Sequence, residues 1–174
     1  FLGGGLVDSG NAAWMAADQP LIDFSASKSV IGSVMLSARR RSYQLRVTYG
    51  HNSRAIGTEF DASDGDPTAG HQVRFAGSAV NFTLAECSFK GGDGILATSG
   101  HTEIAVEACS FANNRGLARL EAGFSGVLLW GPTNTYGSCP RVIYAARANQ
   151  VICSDPRVNV RSLDGTVTFQ AATR

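Results

Sequence analysis

Phe82-Thr83-Leu84-Ala85-Glu86-Cys87-Ser88-Phe89 is followed by Ile104-Ala105-Val106-Glu107-Ala108-Cys109-Ser110-Phe111, so the stretch Val80 to Phe111 says the same thing twice. Its two cysteines lie 22 positions apart, and the register holds beyond them, with Gly94-Ile95 matching Gly116-Leu117. The turn segments Lys90-Gly91-Gly92-Asp93 and Ala112-Asn113-Asn114-Arg115 fall between the same landmarks. Self-similarity at a fixed short period predicts a solenoid, in which each repeat is one rung that buries its apolar face against the next. Within a rung the apolar residues alternate, Phe82 with Leu84 and Ile104 with Val106, which is strand periodicity and not helix periodicity. Equivalent side chains of stacked strands sit about 4.8 Å apart, so Cys87 and Cys109 are expected to stack at equivalent positions as small apolar fillers.

Composition agrees with an all-β reading. The 174 residues include 20 glycines but only two methionines, and the only lysines are Lys28 and Lys90. Such a chain is poor in helix formers. Its length suits one domain with a real core. A formal net charge of +1 gives no reason to expect nucleic acid as a partner. The one dense basic run, Arg39-Arg40-Arg41, has no interleaved aromatics and reads as a solvated face or loop. No apolar run approaches the roughly 20 residues of a spanning helix, so membrane insertion is not expected, and no signal peptide is visible. A chain opening on Phe1 reads as a processed product or an excised piece. Four irregularly spaced cysteines do not form a zinc pattern. Cys139 and Cys153 are candidates for a disulfide closing a loop of about 15 residues, worth roughly 3 kcal/mol.

Taken in order, residues 1–20 read as a lead-in or cap segment that covers the open end of the stack. Residues 21–131 read as the solenoid. Leu21 to Phe24 and Ser29 to Leu36 form a degenerate rung around the polar turn Ser25 to Lys28. Tyr43 to Tyr49 alternates cleanly, with Tyr43, Leu45, Val47 and Tyr49 predicted on one face and Gly50 to Ser53 ending the strand. Gly57 to Gly70 is acidic and turn-rich, and predicts a loop thrown out from the side of the stack, where binding surfaces often lie. A third copy fades in: 22 positions after Val106 stands Leu128, in the run Phe124-Gly126-Leu128-Trp130. Residues 132–174 form a β-rich C-terminal extension, either further irregular rungs, a cap or a small β-module. Ser162-Leu163-Asp164-Gly165 predicts a hairpin turn within it.

The rungs resemble those of the right-handed, single-stranded parallel β-helix of the pectate-lyase-like superfamily, with ~22-residue rungs. The resemblance rests on Phe82, Leu84, Cys87, Phe89, Gly91 to Ile95, and then on Ile104, Val106, Cys109, Phe111, Asn113, Asn114, Gly116 and Leu117. It covers about fifty residues. Within that superfamily, a short glycine-rich chain with few lysines and a distinct β tail is similar to bacteriophage tailspikes and tail fibres. That similarity implies a homotrimer in a virion tail, or otherwise extracellular, attached to host cell-surface polysaccharide. The alternatives are a polysaccharide-degrading lyase or glycosidase and a structural spacer in a longer spike, because fold alone does not license function. An extended ridged face suits a polymer. Sugar recognition would need carboxylates, amides and arginine beside an exposed ring.

The candidate residues follow. Glu59, Asp61, Asp64 and Asp66 offer the paired carboxylates of a glycosidase. Their oxygens would also suit calcium, although the order is not an EF-hand loop; the plainer reading is a solvated turn. No other cofactor or metal is implied. Asp93 lies in a glycine-rich turn of the kind that carries catalytic aspartates in the resembling polygalacturonases, but lacks an adjacent second Asp. Its simpler role is an ion pair with Arg115 one rung on. His51 with Arg54 would bind an acidic sugar or neutralise a carboxylate before proton abstraction. His51, His71 and His101 otherwise read as surface loop residues. Trp130 and Tyr136, flanking Gly131-Pro132, would form an aromatic platform, although Trp130 has the parity of a core residue.

Overall fold

The computed structural model describes residues 5–8, 20–38, 43–62 and 71–170. The first half of the chain contributes β1 (Gly5–Asp8), β2 (Ile22–Ser27), β3 (Val30–Gly32), β4 (Met35–Ala38), β5 (Leu45–Ile56), β6 (Glu59–Asp61), β7 (His71–Ala85) and β8 (Ser88–Lys90). It continues through β9 (Asp93–Ser99), β10 (Glu103–Glu107), β11 (Ser110–Ala112), β12 (Ala118–Leu120) and β13 (Val127–Trp130). The last strands are β14 (Thr135–Tyr136), β15 (Val142–Ala145), β16 (Val151–Cys153), β17 (Asn159–Ser162) and β18 (Thr168–Phe169). All pair in parallel except β17 with β18. The result is a parallel β-solenoid of about five turns, with rungs of about 24 residues.

Three faces build each turn, and each buries one in-register ladder. On the first face Leu45, Val73, Ile95, Ala118, Ile143 and Val160 succeed one another. On the second the sequence is Ala55, Leu84, Val106, Trp130 and Cys153. The third carries Leu36, Phe60, Phe89, Phe111 and Tyr136. Ring centroids of Phe60 and Phe89 are 4.9 Å apart, and those of Phe89 and Phe111 are 4.7 Å apart at 5°. That is the spacing between neighbouring strands, so parallel pairing itself sets the stack. Each ring pair adds about 0.5–1.5 kcal/mol to the burial of its members.

One left-handed residue turns each of four successive rungs from the second face to the third, and the Gly131–Asn134 corner makes the turn without one. Ser33, Gly57, Glu86 and Ala108 all have φ between 52° and 58°. The Gly57 N–H donates to Ala85 O and the Glu86 N–H to Glu107 O, so the corners themselves stack. Immediately past the corner, Val34, Thr58, Cys87, Cys109 and Asn134 are all buried. Cys87 and Cys109 do stack at equivalent positions, because Ser88 pairs with Ser110 directly after them.

Several expectations need correction. All four cysteines are free thiols, so no Cys139–Cys153 disulfide forms. The third copy is offset by 24 and not 22: Val106 pairs with Trp130, and Leu128 pairs with Ile104. The turn around Gly123 absorbs the extra residues before β13. Tyr49 is 47% exposed and does not join Leu45 and Val47, since a register shift between Val47 and Tyr49 inverts the alternation. Strand β5 does not end at Gly50 either. It bends at Asn52, with φ 50°, and runs on to Ile56.

The extension resolves into further turns of the same stack: β14 continues the third face, β15 and β17 the first, and β16 the second. Only the β17–β18 hairpin, turned at Gly165 with φ 74°, departs from parallel pairing. Glu59 and Asp61 lie on strand β6 of the third face and not on an excursion, whereas Asp64 and Asp66 fall outside the described residues. Of the lead-in segment, Gly5–Asp8 pairs in parallel with β4; residues 1–4 and 9–19 and Arg39 to Arg41 also lie outside the described part.

Candidate functional site

The outward side of the first face carries the chemistry. Where inward residues form its apolar ladder, the residues between them stack as Arg46, Arg74, Leu96, Arg119, Tyr144 and Arg161. Five strand steps separate Arg46 from Arg161, roughly 24 Å along the stack. Arg46 pairs with Asp23. The Arg74 guanidinium sits 5.0 Å over the Tyr43 ring and donates to its hydroxyl. Arg119 Nε donates to Glu121 Oε1 at 2.7 Å. These contacts hold long side chains against the sheet, so less conformational entropy remains to be lost when a ligand binds.

Beside this row lies a cleft of about 140 Å³ lined by His71, Asp93, Arg115, Arg119 and Tyr144, with Gly94 and Gly116 at its floor. Gly94 marks a close backbone approach between turns, and Gly116 leaves the space beside Tyr144 open. A Cβ on Gly94 would meet Leu117 O at 2.3 Å, and the space over Gly116 is bounded by the Tyr144 ring at 3.9 Å. Asp93 and Arg115 form the expected cross-rung pair, Arg115 Nη2 donating to Asp93 Oδ2 at 2.9 Å and Nε to Oδ1 at 3.2 Å. Both side chains are partly exposed, so the pair orients Arg115 more than it stabilises the fold. His71 pairs with Asp93 along the ladder. Its Nδ1 is enclosed with no hydrogen-bond partner among the described residues. Burial pushes the imidazole pKa down, more than the Asp93 carboxylate lifts it, so the ring is neutral at pH 7.

No protein-family model, curated protein or solved structure matches this chain.

The other expected residues are dispersed. Glu59 and Asp61 leave the same side of β6, around buried Phe60, and Glu59 Oε1 accepts from Lys90 Nζ at 2.7 Å. His51 and Arg54 lie on β5, away from the first-face cleft. Among the described residues no three His, Cys, Asp or Glu side chains gather as a metal site. Trp130 and Tyr136 are not a platform. Trp130 is 1% exposed, and its Nε1–H donates to Tyr136 OH at 2.8 Å, which in turn donates to Asp155 Oδ2 at 2.7 Å. Arg157 completes the knot, donating to Asp155 Oδ1 at 2.8 Å and to Asn134 O at 2.8 Å while lying 5.0 Å over the Tyr136 ring. The Arg157 guanidinium pulls the Asp155 carboxyl down to about 2, and burial pushes the Tyr136 phenol up. The cluster is a structural lock on the last turns.

Sequence reasoning missed Arg119 and Tyr144, although a signal was present. Leu45-Arg46-Val47, Val73-Arg74-Phe75 and Ala118-Arg119-Leu120 repeat apolar-Arg-apolar, and Val160-Arg161 begins it again. Their irregular separations concealed the pattern until strand pairing put them in one row.

Proposed function

We propose that this solenoid attaches to a cell-surface polysaccharide as part of a bacteriophage tail, working outside the host cell as a homotrimer. The observation that carries the reading is the outward row Arg46, Arg74, Arg119, Tyr144 and Arg161, in register along the stack and flanked by the His71 cleft. Donors in one line, interrupted at Leu96 between Arg74 and Arg119, suit a ligand that itself repeats. Arginine supplies a planar fork of donors for sugar oxygens. Tyr144 adds a ring with an apolar face and a polar tip. Asp93 and Glu121, paired with Arg115 and Arg119, add acceptors for hydroxyl groups beside the row.

The test is a panel of bacterial capsular and O-antigen polysaccharides, scored both for binding and for new reducing ends or unsaturated products. Binding without products, lost in Arg119→Gln and Tyr144→Ala, is the expected result. Product formation abolished by Glu59→Gln or Asp61→Asn would replace attachment with the enzyme reading. Absence of both across the panel would leave the spacer role. Sedimentation of the full chain tests the trimer.

A further inference from the structure

A second groove, on the opposite flank of the β5–β7 ladder, differs from the first-face cleft in its charge. It has a volume of about 400 Å³ and is lined by Lys28, Val30, Asn52, Ser53, Arg54, Asn81 and Thr83. A volume of this order accommodates a small ligand or a short length of polymer.

The groove is built by a corner and a sheet face together. Lys28, Asn52 and Asn81 have φ of 52°, 50° and 57°, so in three consecutive turns the chain swings the same way and leaves these side chains exposed along one line. Val30, Arg54 and Thr83 follow in register on the outward side of the second face. The floor is fixed from beneath: buried Ser53 Oγ donates to Ala26 O at 3.1 Å and accepts from the Ser29 N–H at 3.2 Å. Asn81 Nδ2 donates to Asn52 Oδ1 at 3.2 Å. That bond occupies the Asn52 oxygen and leaves its amide N–H groups directed away from Asn81.

Both cations here are uncompensated. In the first-face cleft Arg115 is paired with Asp93 and Arg119 with Glu121. A third groove, lined by His101, Arg147 and Gln150, contains Glu103. The lining of the Lys28–Arg54 groove has no carboxylate. Among the described residues neither Lys28 nor Arg54 makes a side-chain hydrogen bond or ion pair. The lining also has no aromatic ring on which a sugar could stack.

We propose that this groove binds a tetrahedral ester oxyanion, phosphate or sulfate, carried on a polysaccharide or polyol phosphate. Lys28 supplies a mobile point charge, Arg54 a fork for two oxygens, and Asn52 and Thr83 neutral donors. The site does not depend on the first-face row, and the two are separable by mutation.

The experiment titrates the full chain, at low ionic strength, with dextran sulfate, poly(glycerol phosphate), polygalacturonate and uncharged dextran. Dextran sulfate or poly(glycerol phosphate) is expected to bind, more weakly as salt is added, and whichever is tighter identifies the ester. Dextran is expected not to bind. Lys28→Gln/Arg54→Gln should weaken binding at least tenfold. Asn81→Asp should do the same by placing a carboxylate in the groove, at a residue type that tolerates left-handed backbone. The loss caused by Lys28→Gln/Arg54→Gln should be the same in an Arg119→Gln background as in the otherwise unchanged chain. Failure of both ester polymers to bind would overturn the proposal, as would binding indifferent to both groove variants or polygalacturonate bound as tightly as dextran sulfate. Unfolding midpoints at wild-type values for the groove variants would tie a loss to the site itself.

Discussion

The backbone N–H of Cys109 donates to Asn134 Oδ1 at 2.8 Å, so an asparagine continues in the next turn the ladder that cysteines occupy in the two before it. Asn134 Nδ2 also donates to Val106 O at 3.2 Å and Gly131 O at 2.9 Å. One buried amide thereby satisfies three backbone groups at a corner. Asn134→Leu would fill the space but strand the Cys109 N–H and the Gly131 carbonyl, while Val106 O keeps the Gly131 N–H, and is expected to cost about 3 kcal/mol. Urea unfolding should show a lower midpoint with an unchanged slope; an unchanged midpoint would mean that water or rearranged backbone replaces the amide.

Phe89 is the middle of the ring stack, 4.9 Å from Phe60 and 4.7 Å from Phe111. Phe89→Ala removes a fully buried ring and both stacking contacts, and should destabilise the fold by about 3–5 kcal/mol. Phe89→Leu keeps much of the volume and should cost less than half of that. Equal losses by calorimetry would show that ring geometry, and not burial, dominates.

Ala108 and Gly126 are expected to respond to substitution with opposite signs. Ala108 holds φ at 52°, a conformation that L-residues adopt at a cost, while its N–H donates to Thr133 Oγ1 at 3.0 Å through the backbone alone. Ala108→Gly relieves the strain and keeps the bond, and should be neutral to stabilising by up to about 1 kcal/mol once the looser unfolded chain is counted. A Cβ on Gly126 would meet Thr102 O at 1.9 Å. Gly126→Ala should therefore destabilise by about 2–3 kcal/mol, because backbone must move. Thermal midpoints of the two variants decide both cases.

Asp155 makes stability depend on acid. Its side chain is 1% exposed, and Arg157 holds the folded carboxyl near 2, below the ordinary carboxylate range. The folded state therefore releases this proton more readily than the unfolded chain. The contribution, on the order of 2 kcal/mol, is complete above about pH 4 and disappears as pH falls through 2. Asp155→Asn should flatten that part of the stability profile while lowering stability at pH 7. A mutant curve parallel to wild type down to pH 2 would refute the assignment.

Where the sequence was legible, two neighbouring rungs happened to have the same length. Phe82 to Ile104 spans 22 residues, and the cysteine and phenylalanine positions agree. The preceding turn spans 29 residues from Ser53 to Phe82, and the following one 24 from Ile104 to Leu128. Pairing tolerates such changes because corners and loops absorb them outside the ladders, and a search at fixed period loses them. The interior polar corner was also unread. Gln72 Nε2 donates to Phe60 O at 2.7 Å and to Lys90 O at 3.0 Å, and Asn114 Nδ2 to Gly91 O at 2.6 Å. In sequence such residues look like turn surface, since composition cannot say which side of a corner a side chain takes.

Local alternation and one 22-residue repeat were enough to determine the β class, the solenoid and the stacking of Cys87 on Cys109, because period-2 burial and short-range repetition are properties of the chain itself. The outward Arg46–Arg161 row, the Trp130–Tyr136–Asp155–Arg157 knot and the uncompensated groove at Lys28 and Arg54 were decided only by the tertiary structure. Each depends on which residues of different turns come to lie 4.8 Å apart or so. That is set by the lengths of the intervening corners, and a shift of one residue exchanges inside for outside.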